Sequence, residues 1–166
     1  MPIVDSLLPE YDHEFATTRK LLERVPEAEL GWKPHEKSMT LGQLAGHLAN
    51  LPFWCAKTMQ AASYDVQAGD RQATLEAPAS RDALLKSFDE QTRVARDLLA
   101  RASDAELTAP WTLQNGGQEI FTMPRLAVFR SFVMNHMIHH RGQLTVYLRL
   151  KDVPLPAVYG PTADEQ

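Results

Sequence analysis

Asn135-His136-Met137-Ile138-His139-His140-Arg141-Gly142-Gln143 decides the fold, because this stretch holds three of the six histidines of the chain inside a helical pattern. Residues four apart on a helix project from one face, so His136 and His140 can direct both imidazoles at one point. His139 lies about 60° from His136 around the helix and is expected at the surface, at an interface or behind a ligand. An apolar repeat with steps of four and three puts the pair on the inward face, together with Phe129, Val133, Gln143, Tyr147 and Leu150. The pattern predicts a two-ligand metal clamp.

A histidine on an inward face has a second interpretation. A single one is more often a hydrogen-bonded core residue than a metal ligand. Two inward imidazoles one turn apart are different, because each unsatisfied polar nitrogen in a core costs about 1–3 kcal/mol. One shared cation satisfies both, so the pair favours a metal site.

A second helix carries a further inward histidine. Thr40-Leu41-Gly42-Gln43 has the capping-box pattern, which predicts a helix start at Thr40. His47 lies on the apolar face of this helix and is the natural third ligand, although a core histidine bonded to a backbone carbonyl is the alternative. Pro52 is expected to kink or break the helix. Cys55 lies roughly 12 Å further along the axis and is interpreted as a small buried residue.

Composition limits the class of protein. The 166 residues with 44% hydrophobic content predict a single domain over 1–166. A net charge of −4 gives no reason to bind phosphate backbones, so nucleic acid is not expected as a partner. No apolar run approaches the ~20 residues of a bilayer span, which argues against a membrane. The single cysteine and the lack of a signal-peptide pattern predict a cytoplasmic protein.

The remaining segments complete an all-α prediction. Apolar repeats predict amphipathic helices over 4–25 and 80–102, and a last helix from Pro124 to about Lys151. Between the second and third helices, 61–79 is expected to be a long crossover connection. Asn115-Gly116 between β-prone residues predicts a small hairpin before the last helix. We expect a four-helix bundle, with 152–166 as a surface tail that packs on it or frays.

Two sequence segments resemble the DinB/YfiT-like metalloenzyme family. They are Leu41-Gly42-Gln43-Leu44-Ala45-Gly46-His47-Leu48, and His136 to Leu144 with its His-x-x-x-His-Arg-Gly-Gln signature, followed by Tyr147-Leu148-Arg149. The resemblance implies an up-down-down-up four-helix bundle, often a homodimer, with a divalent metal held by three histidines. Carried over by position, these ligands are His47, His136 and His140. The family includes bacillithiol and mycothiol transferases and isomerases, and many members have no known reaction.

An open three-histidine site predicts an activated nucleophile. Three imidazoles leave room for water on zinc, or for more ligands on nickel, iron or manganese. A bound water has its pKa lowered toward ~7, and a bound thiol is deprotonated. We expect a metal-dependent thiol S-transferase or hydrolase with a small-molecule substrate, for which a low-molecular-weight thiol is the candidate. A non-catalytic metal-binding stress or damage-response protein and a structural bundle with buried histidines are the alternatives.

The neighbours of the three histidines leave several roles open. A zinc peptidase is not expected, because Met137 occupies the place of the glutamate base of His-Glu-x-x-His. Asn50 and Gln143 are candidates to orient a ligand or water. The alternative is that they are polar residues at the mouth of the bundle or bonded to the backbone. Arg141 is a candidate anion or interface contact, or a surface salt-bridge partner. Two aromatic residues can line a pocket or belong to the core, namely Trp54 and Tyr147.

Overall fold

The computed structural model describes residues 1–68 and 76–165, and it is mostly helical. The α-helices are α1 (Ile3–Leu22), α2 (Leu41–Gln60), α3 (Arg81–Ala100), α4 (Asp104–Thr108), α5 (Arg125–Val128) and α6 (His136–Leu150). A π-helix, Phe129–Asn135, connects α5 to α6 directly, and a short 3-10 helix covers Glu27–Glu29. Among these described helices, none is long and apolar enough to cross a bilayer.

Side-chain caps explain where the helices begin. The Thr40 hydroxyl accepts from the Gln43 backbone N–H, and the Gln43 side chain accepts from the Thr40 backbone N–H. This reciprocal capping box is the one predicted, and it starts α2. Ser80 caps α3 in the same way by accepting from the Ala83 N–H. Of the kink or break predicted at Pro52, the break was wrong, because α2 continues through it to Gln60.

One hydrophobic core joins the long helices. It collects buried side chains from α1, α2, α3, the π-helix and α6. The rings of Tyr11 and Phe15 stack with centroids 3.9 Å apart, and Phe15 in turn lies 6.0 Å from Phe88 of α3. Helix α2 packs against both α3 and α6, and α1 packs against the same two helices. This packing sets the position of α2 relative to α6, on which the candidate site depends.

The structure contains a three-stranded sheet, and one of its strands lies in the segment that was predicted to be a crossover connection. Its strands, in spatial order, are β1 (Ser63–Asp65), β2 (Pro110–Asn115) and β3 (Gln118–Pro124). The antiparallel β2–β3 pair is the expected hairpin, and its turn uses positive φ at Gly116 (61°) and Gly117 (78°). Strand β1 pairs parallel to β2, within the segment predicted as a crossover, so the fold is not purely α-helical. Gly69 and Asp70 of that crossover lie outside the described residues.

The carboxylate of Asp65 holds β1 against the hairpin. It accepts from the backbone N–H groups of Gly116 and Gly117 at 2.9 and 2.7 Å, and from that of Gln67 at 2.9 Å. These hydrogen bonds hold the pKa of Asp65 below its ordinary value, the bond from Gln67 being the largest cause. Because β1 comes next after α2 in the chain, these hydrogen bonds also fix the hairpin relative to the end of α2.

The last helix presents a different face to the core from the one predicted. Downstream of the π-helix, the buried residues are Met137, Arg141, Leu144 and Leu148. The expected inward residue Gln143 is exposed, and Leu150 is 57% exposed. The reason is the π-helix: its i→i+5 bonding widens one turn and shifts the register of every residue that follows.

The tail packs on the bundle. Glu165 pairs with Arg24 at 2.6 Å, and Asp164 pairs with Arg149 of α6. Asp164 also accepts from the Leu155 backbone N–H at 2.9 Å. Of the two outcomes expected for 152–166, packing on the surface is the one seen over the described part of the tail.

Candidate metal centre

Three histidines from two helices meet at one point. His47 comes from the middle of α2, and His136 and His140 come from the first two turns of α6. One ring nitrogen of each lies within 4.8 Å of the others. The Nε2 atoms of His47 and His136 are 3.2 Å apart, and those of His136 and His140 are 2.8 Å apart. These three half-buried residues are called the histidine cluster below.

The nitrogen separations match a shared metal ion. Histidine nitrogens bind divalent zinc at about 2.0–2.1 Å, which places two ligand nitrogens about 3.4 Å apart at the tetrahedral angle and about 2.9 Å apart at a right angle. The observed 3.2 and 2.8 Å lie within about 0.2 Å of these two values. These two nitrogen pairs therefore already have spacings that a shared ion requires.

Hydrogen bonds on the outer side of the rings determine which nitrogens carry protons. The Nδ1 atom of His140 lies 2.7 Å from Oε1 of Gln143. An amide oxygen only accepts, so Nδ1 carries the proton and Nε2 keeps its lone pair. The ring of His136 is hydrogen-bonded to the backbone of Phe132, a contact that raises its pKa and therefore uses the carbonyl as acceptor. The proton of His136 is thus on Nδ1, since Nε2 faces the cluster.

Two lone pairs consequently face each other across 2.8 Å between His136 and His140. Two acceptors cannot hydrogen-bond to each other, so with these tautomers a cation between or beside them would satisfy both. Burial is the largest influence on both rings and lowers the pKa of each below the ordinary histidine value, which disfavours an extra proton there. A divalent metal ion fits this donor set.

The other histidines and the cysteine do not join the cluster. His139 is exposed, with its ring centroid 4.9 Å from that of His140 in an edge-on contact. His13 is exposed on α1, and His35 accepts from the Lys37 backbone N–H in its loop. Cys55 is fully buried, and burial raises the pKa of its thiol. Within the described parts of the chain, the histidine cluster is the group of potential ligand side chains close enough to hold an ion.

Arg141 is a buried charge and not the surface or interface residue expected. It is 1% exposed, and its guanidinium pairs with the Glu14 carboxylate at 2.6 Å and donates to the Tyr159 hydroxyl at 2.6 Å. Sequence reasoning missed Glu14, which is 6% exposed. The available signal was its position between Tyr11 and Thr18 of the same helix face, three and four residues away.

Of the other residues singled out in the sequence, Asn50 and Tyr147 make contacts within the helix packing, and Trp54 lines a cavity. The Asn50 side-chain oxygen accepts from the Gln91 amide at 2.9 Å, which links α2 to α3. The Tyr147 hydroxyl donates to the Met39 carbonyl at 3.1 Å, so this aromatic belongs to the packing around the start of α2. Trp54, in contrast, lines a cavity of about 380 Å³ whose wall also includes His47 and His136.

Fold and site together define a helical protein with a small sheet and a three-histidine cluster between α2 and α6. The chain belongs to the DinB superfamily, whose family model matches residues 10–144. The uncharacterized protein YrdA of Bacillus subtilis (strain 168) is 27% identical over 98% of this chain and 91% of its own length.

Two solved structures share the fold. A DinB-like protein from Bacillus cereus superposes with a TM-score of 0.74 at 22% identity, covering 95% of this chain and 98% of that one. The DinB-like protein YjoA from Bacillus subtilis gives a TM-score of 0.69 at 18% identity, with 95% and 99% covered. The match to the family model confirms the predicted DinB family, while the metal and the reaction of this chain stay predictions.

Proposed function

We propose that this protein is a divalent-metal-dependent enzyme of the thiol S-transferase or hydrolase type, with His47, His136 and His140 as the metal ligands. The observation that carries the proposal is the convergence of three imidazole nitrogens, with Nε2 of His136 lying 2.8 Å from that of His140 and 3.2 Å from that of His47 on another helix. Imidazole nitrogens suit zinc, nickel, iron and manganese, so the donor set is compatible with each of these ions.

The protein holds the cluster ready for a cation. Gln143 and the Phe132 carbonyl keep protons on Nδ1 of His140 and His136, so each Nε2 is available. His47, on the separate helix α2, adds a donor that ties metal binding to the packing of α2 against α6. The ion, when bound, would lower the pKa of a coordinated water or thiol and supply a nucleophile at neutral pH.

Residues around the cluster argue against a zinc peptidase and against a nucleophile supplied by the protein's own cysteine. Met137 is fully buried, and it stands where a zinc peptidase needs a glutamate base. The buried Cys55 thiol, with its raised pKa, is no nucleophile for a transfer reaction. A thiol group for transfer would therefore come from a small molecule, which is the reason to propose a low-molecular-weight thiol as the second substrate.

Metal content tests the binding half of the proposal. Protein purified without a histidine tag is incubated with zinc, nickel, manganese or iron(II), desalted and measured by elemental analysis. We expect one ion per chain in the wild type, a loss of at least tenfold in affinity in His136→Ala, and no change in His139→Ala, an exposed neighbour on the same helix. A wild type that retains none of the four ions overturns the proposal.

Turnover tests the catalytic half. The loaded protein is assayed with electrophile-plus-thiol pairs and with a panel of esters, and we expect metal-dependent turnover that His136→Ala abolishes. Saturated metal without turnover across both panels would overturn the enzyme assignment and leave a non-catalytic metal-binding protein.

We also propose the assembly and the topology implied by the family. A homodimer through α6 is supported by Val146 and Leu150, one turn apart and each 57% exposed. Light scattering of Val146→Glu would then show a monomer where the wild type is a dimer. The up-down-down-up bundle is supported by the packing of α1 and α2 on both α3 and α6. We place the protein in the cytoplasm, which fractionation of the native cells tests.

A further inference from the structure

A cavity of about 380 Å³ adjoins the histidine cluster. Its walls come from α2, the three-stranded sheet and the π-helix, and His47 and His136 belong to its lining. Six of its thirteen lining residues are aromatic, namely Phe53, Trp54, Tyr64, Trp111, Phe121 and Phe132. A molecule held in this cavity therefore lies beside two of the three proposed ligands.

The ring arrangement offers faces and edges to a flat ligand. Trp54 and Tyr64 meet edge-on with centroids 5.3 Å apart, and Phe121 stacks on Phe132 at 4.9 Å. Aromatic pairs prefer such offset or edge-to-face contacts, so a further ring can join either pair favourably. Two lining residues open to solvent, Ile120 at 54% and Phe132 at 37% exposure, and they give the cavity an apolar mouth.

The lining carries no Asp, Glu, Lys or Arg side chain. Its polar members are the two histidines, Asn115, the Tyr64 hydroxyl and the Trp111 indole. A charged ligand body would lose its water without gaining a side chain of opposite charge, and this desolvation is costly. The cavity chemistry therefore selects a body without formal charge.

Trp111 adds one unmet hydrogen bond. It is 1% exposed, and its indole N–H has no acceptor within the described residues. A buried donor left unsatisfied costs about 1–3 kcal/mol, which a ligand acceptor would recover. An apolar cavity of about 150 Å³ holds a benzene ring, so a volume of 380 Å³ has room for two rings and a small polar group.

We propose that the cavity binds a neutral small molecule with an aromatic body of one or two rings and a single hydrogen-bond acceptor, and that it holds this molecule beside His47 and His136. This inference rests on the proposed function in one respect only: it names the substrate class that the metal centre would act on. Binding in the cavity needs no metal, so it can be measured separately.

The test uses the full chain in its metal-free form, with calorimetry as the readout. The probes are 1-cyanonaphthalene, which is neutral and carries one acceptor, and two charged analogues, 1-naphthoate and 1-naphthylmethylammonium. Metal-free protein is required because a carboxylate could otherwise bind an ion directly. We expect the neutral probe to bind at least tenfold more tightly than either charged probe.

Two matched substitutions locate the binding. Val66→Trp fills the cavity from the segment after β1, whereas Val94→Trp makes the same change at a half-buried residue of α3 outside the lining. We expect the first to weaken binding of the neutral probe at least tenfold and the second to leave it unchanged. Imidazole NMR signals of His47 and His136 should shift on adding the probe, while that of the exposed His13 should not.

Equal affinity for neutral and charged probes, or equal affinity of the two tryptophan variants, would overturn the inference. If Val66→Trp does not fold, the comparison of probe charge and the histidine shifts decide alone. Failure of the proposed function would appear elsewhere, as an absence of metal in elemental analysis, with probe binding to the metal-free chain unaffected.

Discussion

Replacing Gln143 by leucine tests how the protein prepares His140 for a metal. Oε1 of Gln143 lies 2.7 Å from Nδ1 of His140, on the side of the ring away from the cluster. Loss of such an orienting partner lowers metal affinity about 10- to 100-fold. Because Gln143 is exposed, water can replace part of the interaction, so we expect the lower end, about tenfold or 1.4 kcal/mol.

Competition with a chromogenic chelator at pH 7.5 measures this loss. Gln60→Leu is the matched control, since Gln60 is an exposed helical glutamine 13 residues after His47 on α2, about 20 Å along the axis. Gln143→Glu should keep wild-type affinity or exceed it, because a carboxylate still accepts the Nδ1 proton. An unchanged affinity in Gln143→Leu, or an equal fall in both leucine variants, would refute the tautomer assigned to His140.

Three further predictions concern stability. Gly46→Ala should lower the free energy of unfolding by about 1–3 kcal/mol, because the new Cβ would lie 2.6 Å from the Glu76 carbonyl oxygen. Gly142→Ala should raise the free energy of unfolding by about 0.5–1 kcal/mol, because its Cβ would meet nothing within 4 Å. Urea titration measures both changes, and changes of the same sign would contradict the prediction. Glu14→Ala should cost about 3–5 kcal/mol by leaving Arg141 buried and unpaired, and a loss below 1 kcal/mol would be incompatible with the buried pair. The metal-free protein should lose stability as pH falls below about 6.5, because burial depresses the pKa of the two α6 cluster histidines in the folded state and the unfolded chain then binds more protons. Urea midpoints between pH 7.5 and 5 measure this, and an identical decline in the double alanine variant of those two residues would rule it out.

The parts of the fold that sequence predicted correctly are those with local signals. The capping box at Thr40 placed the start of α2, and Ser80 placed the start of α3. The hairpin was predicted at Asn115-Gly116, and its turn takes positive φ at Gly116 and Gly117, where glycine meets the requirement without strain. Each of these signals acts within four residues, so it can be read without knowing the fold.

Features that depend on distant partners were not predictable. Strand β1 has three residues and is defined by parallel pairing with β2, about 50 residues further along the chain. The ion pair of Glu14 and Arg141 joins residues 127 positions apart. Both require the tertiary packing that brings the partners together. Neither pairing can be read from the local sequence, although the position of Glu14 on the helix face of Tyr11 and Thr18 was a local signal.

The sequence predicted the histidine cluster from a local signal, but it did not show which face of the last helix turns toward the core. Steps of four and three from Val133 predicted His136, His140 and Gln143 on one inward face, and an uninterrupted α-helix would have buried them all. The π-helix before His136 instead turns Met137 and its successors into the core, so the two histidines lie half-buried, with His136 in the wall of the cavity. A catalytic ion has to admit a guest as well as bind its ligands, and only the half-buried position allows both. The irregular turn that made the register prediction wrong is therefore the feature that leaves the proposed metal centre accessible, as π-helical turns at functional sites commonly do.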